Sequence, residues 1–326
     1  MGGAMTAPRR IVEGEFYLVT RRTLLRTYLL RPHPEVNRMF EYCLAEAAKK
    51  HGIELIAWCA MSNHYHAVIY DPGGHVPAFI ERFHKMLAKV LSVHHGRFEG
   101  IWSREQTCLT RLVTMSDVFD KVVYVLSNPA AAHLVEDIAE WPGSSSWKLM
   151  GSDPKTVARP KVYFRDDGRM PGNVELRAVA PHGLRSESYK AWIDRVRAAV
   201  KQRQSGLAEE RPKNRPVLGR KRVLAMDPLA APKTEAPRRK LRPHLACKDK
   251  ERMKAERKLL KDFRAEYGKM LLRVRAGAGR VEFPQGTYRL RLLGLRCRGC
   301  SGSATTKPAP TGKRASAAAR RAKHAA

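Results

Sequence analysis

No stretch of the 326 residues approaches the roughly 20 consecutive apolar residues that a bilayer-spanning helix requires. The amino terminus lacks the charged, apolar and small-residue regions that together mark a secretory signal. A cytoplasmic protein without membrane association is therefore expected. Cysteine is sparse: Cys43, Cys59, Cys108, Cys247, Cys297 and Cys300 are too few and too scattered to form a disulfide framework. Reduced thiols fit the same compartment. Cys297 and Cys300 have the spacing of half a zinc site, but no second pair or nearby histidine supplies the other ligands, so zinc is not expected there.

Acidic residues are also scarce, with 31 Asp and Glu against 62 Lys and Arg for a formal net charge of +31. Such an excess points to a polyanionic partner. It is unevenly distributed: residues 1–150 hold 17 basic and 15 acidic residues, or +2, leaving 45 against 16, or +29, for the remainder. With 43% hydrophobic residues the chain has enough to bury a core. We therefore expect a near-neutral globular domain at 1–150, a basic, helix-containing extension at 151–300 that aids DNA binding, and a disordered basic tail at 301–326.

Within the first domain, Phe16 to Thr20 is β-branched and aromatic and predicts a strand. Val36, Met39, Phe40, Cys43, Leu44 and Ala47 recur at helical spacing between His33 and Lys50. Strands are expected from Ile53 to Cys59 and from His64 to Tyr70, joined by a short connection, then a helix from Val76 to His94. A fourth strand ends near Leu112, and a helix beginning at Ser116 runs to Asn128–Pro129, where proline ends or interrupts it. This order implies an α+β domain, an antiparallel sheet with helices packed on one face. Further on, helices are expected at Ser188–Val200 and Lys248–Arg275, a linker-like stretch from Gln202 to Pro243, and a strand or hairpin arm from Phe283 to Leu293.

Two groupings carry chemistry. Residues two apart on a strand share a face, so His64 and His66 present two imidazoles together while Tyr65 points away. That pair suits a metal, although a structural or surface pair has the same spacing. Tyr124 and Asn128 are four apart on one helix and therefore neighbours, so an Asn128 oxygen is a candidate third metal ligand beside the Tyr124 phenol. A helical tyrosine serves packing equally well. Lys121 lies one turn before Tyr124, and Arg21, Arg22 and Arg104 are further candidate DNA contacts. Tyr28 and Trp102, each beside arginines, have the aromatic-basic pairing that stacks unpaired bases.

Met61-Ser62-Asn63-His64-Tyr65-His66, the block Tyr124-Val125-Leu126-Ser127-Asn128-Pro129-Ala130-Ala131-Ala132, and Trp141-Pro142-Gly143-Ser144-Ser145 occur here in that order. Together they resemble the REP-associated tyrosine transposases, members of the single-tyrosine HUH (His-hydrophobic-His) superfamily. The likeness covers about Phe16 to Trp147, and the segment Phe283-Pro284-Gln285-Gly286-Thr287-Tyr288 looks like an extension that some members carry. Ser62 stands where the family usually has proline, and His133 where it usually has glycine.

The resemblance implies a ferredoxin- or RRM-like HUH domain and a metal-dependent DNA transposase and single-strand endonuclease. It implies that Tyr124 attacks a DNA phosphate, that His64 and His66 bind Mg²⁺ or Mn²⁺, and that Asn128 completes or orients the ion. The implied partner is single-stranded or hairpin DNA. Imidazole nitrogen favours transition metals and phosphate oxygen suits Mg²⁺, so Mn²⁺ satisfies both. Two other readings stand beside it: a nucleic-acid-binding protein that keeps the fold without catalysis, and a metal-dependent hydrolase. Monomer and homodimer are both compatible with the sequence.

Overall fold

The computed structural model describes residues 7–184, 187–234 and 243–299. The expected tail at 301–326 lies outside the described residues, as does Cys300. The chain divides into two compact units, one spanning Gly14–Lys248 and the other formed by the residues up to Glu13 together with those from Asp249 onward. The first unit thus runs well past the expected boundary at 150. Among the described residues, no helix is long and apolar enough to cross a membrane.

The unit Gly14–Lys248 begins with β1 (Glu15–Arg22), α1 (Pro34–His51), β2 (Glu54–Ala60), β3 (His64–Asp71), α2 (Val76–His94), β4 (Cys108–Leu112) and α3 (Met115–Ala131). This is the order that the periodicity predicts. A hairpin of β5 (Lys155–Ala158) and β6 (Asn173–Leu176) follows, then α4 (Tyr189–Glu209), α5 (Arg220–Ala225) and β7 (Leu245–Ala246). The main sheet has the strand order β2-β3-β1-β4-β7. Its first four strands are antiparallel, and β7 adds a short parallel edge to β4. Strand β3 is hydrogen-bonded on both sides, which makes it a rigid support.

Helices cover both faces of this sheet, which corrects the expectation of one covered face. On β3, the Tyr65 ring lies 5.6 Å from Phe40 of α1 and 5.3 Å from Phe83 of α2, whereas the His66 ring lies 5.3 Å from Tyr124 of α3. Adjacent strand residues point to opposite faces. Helices α1 and α2 therefore lie on one side and α3 on the other. The burial pattern explains why: Leu55–Ala60 and Tyr65–Ile69 are buried at every position, so neither face of these strands is a wet one.

The stretch expected to be a linker is partly helical. Helix α4 continues beyond the expected end at Val200 to Glu209, and residues 220–225 form α5. Trp192, Ile193, Val196 and Val200 are the buried positions of α4. Its last turns carry mostly polar residues, which hid them from an apolar periodicity. The hydroxyl of Ser188 caps the start by accepting from the Ala191 N–H at 3.1 Å.

The second unit contains α6 (Lys250–Arg275), β8 (Glu282–Phe283), α7 (Arg289–Leu292) and β9 (Arg296–Cys297). The strand expected from Phe283 to Leu293 is thus two residues of β8 and a helical turn. The cause is a tight turn in which both the N–H and the hydroxyl of Thr287 donate to the Pro284 carbonyl. Leu271, Val274, Val281, Phe283 and Leu290 form its small core. Gly286 has φ +93°, and a Cβ there would sit 2.6 Å from the Arg10 side chain, so the turn needs glycine. The Gly286 carbonyl accepts from the Ile11 N–H at 3.0 Å, tying in the amino-terminal segment.

Candidate active site

The site is built on β3 and α3. His64 and His66 project from the same side of β3, their ring centroids 4.9 Å apart at 86°. Across the gap from His66 stands the Tyr124 ring, 5.3 Å away and edge-on at 74°. The two imidazoles and the phenol, 58 residues apart between His66 and Tyr124 in the chain, are therefore neighbours in the fold. Tyr124 is only half-buried, and among the described residues no hydrogen bond engages its hydroxyl. The phenol is held by its ring and free at its oxygen.

Both ends of α3 are fastened, which fixes Tyr124. At the start, Thr114 rather than Ser116 is the cap: its hydroxyl accepts from the Asp117 N–H at 3.2 Å while Asp117 accepts from the Thr114 N–H at 2.9 Å. At the end, the His133 N–H donates to the Ala130 carbonyl and the Leu134 N–H to the Pro129 carbonyl, the paired bonds of a Schellman motif. His133 takes the left-handed position of that motif, with φ +54°. This is the place where the resembled family has glycine, and a side chain there carries a backbone strain of about 1 kcal/mol.

The histidines are oriented by partners on neighbouring strands and loops. His66 is buried, and its Nδ1 lies 2.7 Å from the Thr20 hydroxyl of β1, its cross-strand neighbour. His64 is half-buried, and its Nδ1 lies 2.7 Å from Oδ1 of Asn63. The amide of Asn63 cannot be reversed without loss, because its Nδ2 donates to the Arg26 carbonyl at 3.2 Å. Oδ1 is therefore the acceptor, Nδ1 of His64 carries the proton, and Nε2 keeps its lone pair. Asn63 is held in turn by its own carbonyl, which accepts from the N–H and the hydroxyl of Thr23, each at 2.9 Å.

The loop that grips Asn63 is strained. Leu25 and Arg26 both have left-handed backbones, with φ of +51° and +61°. Neither is glycine, so each costs on the order of 1–3 kcal/mol, supplied by the surrounding hydrogen bonds. These include the Thr23 hydroxyl to the Thr27 carbonyl at 2.6 Å and the Thr27 hydroxyl to the Leu24 carbonyl at 2.8 Å.

Electrostatics favour neutral rings. Burial, followed by the positive charges of Arg22 and Arg26, pushes the His64 pKa down to about 4. Burial, then His64 and Arg22, holds His66 well below the usual imidazole range. A neutral imidazole with Nδ1 hydrogen-bonded and Nε2 available is the form that binds a metal. Among the described residues no group of three or more His, Cys, Asp or Glu is placed to hold an ion. Two imidazole nitrogens would supply only part of a divalent cation's coordination sphere and leave the remaining positions to water or phosphate oxygens. Asn128 folds back on its own helix, its Nδ2 donating to the Tyr124 carbonyl at 2.9 Å, which leaves Oδ1 as its remaining acceptor.

The expected cationic residues divide by strand parity. Arg22 is exposed and opposite His64 in register, on the histidine side. Arg21 pairs with Tyr65 and so faces the other side. Its guanidinium donates to the Ser103 carbonyl at 2.9 Å, the Glu105 carbonyl at 2.6 Å and the Thr107 hydroxyl at 3.1 Å, bracing the loop before β4. Arg104 is exposed in that loop. Trp102 donates to the His84 carbonyl at 3.0 Å and packs at 6.2 Å from Tyr65, as a core residue does. Lys121 places its ammonium 5.6 Å from the Tyr124 ring centre.

Thr20 and Arg203 stand beside the site without a signal in the sequence, and the contacts of Asn63 show only in the fold. The Arg203 guanidinium reaches the Tyr124 ring from α4, 6.0 Å from its centre. Asn63 was visible as part of the motif before His64, but its role depends on a loop that lies 37 residues away in sequence.

No family model and no curated protein matches the chain. Among solved structures, it is similar to a REP-associated tyrosine transposase bound to a REP hairpin, with 18% identity over 45% of this chain and 86% of the other and a TM-score of 0.38. It is also similar to a candidate transposase from Deinococcus radiodurans R1, with 18% identity over 36% of this chain and 93% of the other and a TM-score of 0.28.

Proposed function

We propose that this protein is a DNA transposase acting as a metal-dependent strand transferase on single-stranded or hairpin DNA, with Tyr124 as its nucleophile. The observation that carries the reading is the juxtaposition of a half-exposed phenol, hydrogen-bonded to nothing among the described residues, with two neutral imidazoles 5.3 Å and one ring further away. The three motif blocks that hold these residues, and the surplus of positive charge, support the same reading.

In this account the Tyr124 oxygen forms a bond to a backbone phosphorus while the bond from phosphorus to a 3′ oxygen breaks. The phenolic proton is transferred overall to the departing 3′-hydroxyl. The phosphotyrosyl bond conserves the energy of the one broken, so a 3′-hydroxyl can rejoin strands without a nucleotide cofactor. His64 and His66, with Asn128 as the further ligand, would hold Mg²⁺ or Mn²⁺, which neutralises charge that builds on the phosphate oxygens. The chain's own part is positional. Asn63 and Thr20 fix the imidazoles, the capped α3 fixes the phenol, and Arg22 and Lys121 bring positive charge to the entering backbone. The basic residues beyond 150 add affinity for phosphates that falls as salt rises.

The test is to incubate the full chain with end-labelled hairpin DNA and Mn²⁺, denature it, and look for label that migrates with protein. The reading expects an adduct with the natural chain and none with Tyr124→Phe, which still retards the DNA. Cleavage by Tyr124→Phe at the natural rate would instead establish a hydrolase that uses water.

A further inference from the structure

Helix α4 belongs to the stretch whose charge alone suggested a diffuse DNA-binding arm, yet one of its residues enters the site. Arg203 and Lys121 place cationic groups 6.0 Å and 5.6 Å from the centre of one ring, that of Tyr124. Neighbouring arginines are engaged elsewhere. Arg195 pairs with Glu187 at 2.7 Å, Arg197 donates to the Met150 carbonyl at 3.2 Å, and Arg211 pairs with Glu136 at 3.0 Å. Arg203 and Lys121 have no ion pair or hydrogen bond among the described residues, and Arg22 on the histidine side has none either.

The backbone beneath Arg203 is fixed although its tip is exposed. Trp192, Ile193, Val196 and Val200 bury the preceding turns, and Oε1 of the next residue, Gln204, accepts from the Ile138 N–H at 3.2 Å. A guanidinium resting on the face of an aromatic ring gains about 0.5–1 kcal/mol at an exposed site, enough to bias its position and too little to neutralise it. Two cations with no carboxylate partner among the described residues, beside a half-exposed phenol and with Arg22 on the same side of the sheet, form a seat for an anion that bears more than one charge along its length. The guanidinium's planar fork suits a phosphodiester.

We propose that Arg203 is a substrate-binding residue that, with Lys121, grips a backbone phosphate next to the one Tyr124 attacks. Helix α4 is then part of the active site rather than of a general electrostatic arm. This rests on the reading of Tyr124 as the nucleophile and adds a positioning contact that the motif blocks do not contain.

The test measures equilibrium binding of a labelled hairpin with a single-stranded flank over a range of salt, in the full chain carrying Tyr124→Phe so that no adduct forms. Each phosphate contact on single-stranded DNA contributes roughly 0.7 to the slope of log affinity against log salt. Arg203→Ala is expected to lower the slope by about that amount and weaken binding roughly tenfold at low salt. Arg203→Lys restores the slope by restoring the charge. Arg195→Ala, which removes an arginine already paired on the same helix, leaves the slope unchanged. An Arg203→Ala slope equal to the parent's overturns the inference, even where the natural chain forms its covalent adduct. A natural chain that forms no adduct overturns the nucleophile reading and this one with it.

Discussion

Replacing Asn63 with alanine removes two hydrogen bonds at once: the acceptor for Nδ1 of His64 at 2.7 Å and the donor to the Arg26 carbonyl at 3.2 Å. At about 1 kcal/mol net for each bond, the fold loses roughly 2 kcal/mol, part of it from the strained Leu25–Arg26 turn that the amide supports. If His64 and His66 hold a metal as proposed, the larger consequence falls on metal binding. Loss of the partner that sets a ligand histidine's tautomer and ring angle typically costs 10- to 100-fold in metal affinity, or about 1.4–2.7 kcal/mol. The assay is a Mn²⁺ titration followed by the loss of the free-ion electron paramagnetic resonance signal. Asn63→Ala is expected to weaken Mn²⁺ by that factor. Asn63→Asp, which retains an acceptor beside Nδ1, holds the affinity at or above the parent's. His64→Ala loses the site. If Asn63→Ala bound Mn²⁺ as tightly as the parent while His64→Ala did not bind it, the tautomer argument would be refuted.

Two further outcomes concern the scaffold. His84 is buried, with the Tyr65 hydroxyl 2.6 Å from its Nε2, and burial followed by Arg21 pushes its pKa down to about 3. The unfolded chain accepts a proton at this residue below pH 6.5 and the folded chain does not, so its contribution to stability falls as pH drops from 6.5 towards 3. Between pH 7 and 5 that amounts to about 2 kcal/mol. Urea unfolding at the two pH values should show His84→Gln losing roughly that much less than the parent, and equal losses would sink the argument. His133→Gly relieves the left-handed backbone at the end of α3 and is expected to raise stability by about 1 kcal/mol, read as a higher urea midpoint with an unchanged slope. A lower midpoint would show that the His133 side chain contributes more than its backbone costs.

Much of the candidate site was legible because it rests on local periodicities. The two-residue repeat of a strand set His64 and His66 together and Tyr65 apart, and the four-residue repeat of a helix aligned Tyr124 with Asn128. What those rules leave open is which face of the sheet each helix takes, since that depends on register between distant segments. Arg21 and Arg22 are adjacent in sequence, yet pairing with Tyr65 sends one away from the site while pairing with His64 keeps the other in it. The β5–β6 hairpin has strands of only four residues, too short for alternation to stand out. Arg203 was hidden for a different reason: its helix turns after Val200 hold mostly polar residues, so composition there resembled a solvated linker. Asn63 and Thr20 join the candidate site only through hydrogen bonds to partners 37 and 46 residues distant.

The central claim is that the Tyr124 oxygen makes and breaks the bond to DNA. Its most direct measurement is mass spectrometry of the protein–DNA product formed with Mn²⁺, after digestion of both chain and strand. A phosphate-linked nucleotide remnant carried by the peptide at Tyr124, and absent from reactions of His66→Ala, is the predicted result. Cleaved DNA with every tyrosine unmodified, or a remnant on any other residue, would contradict it.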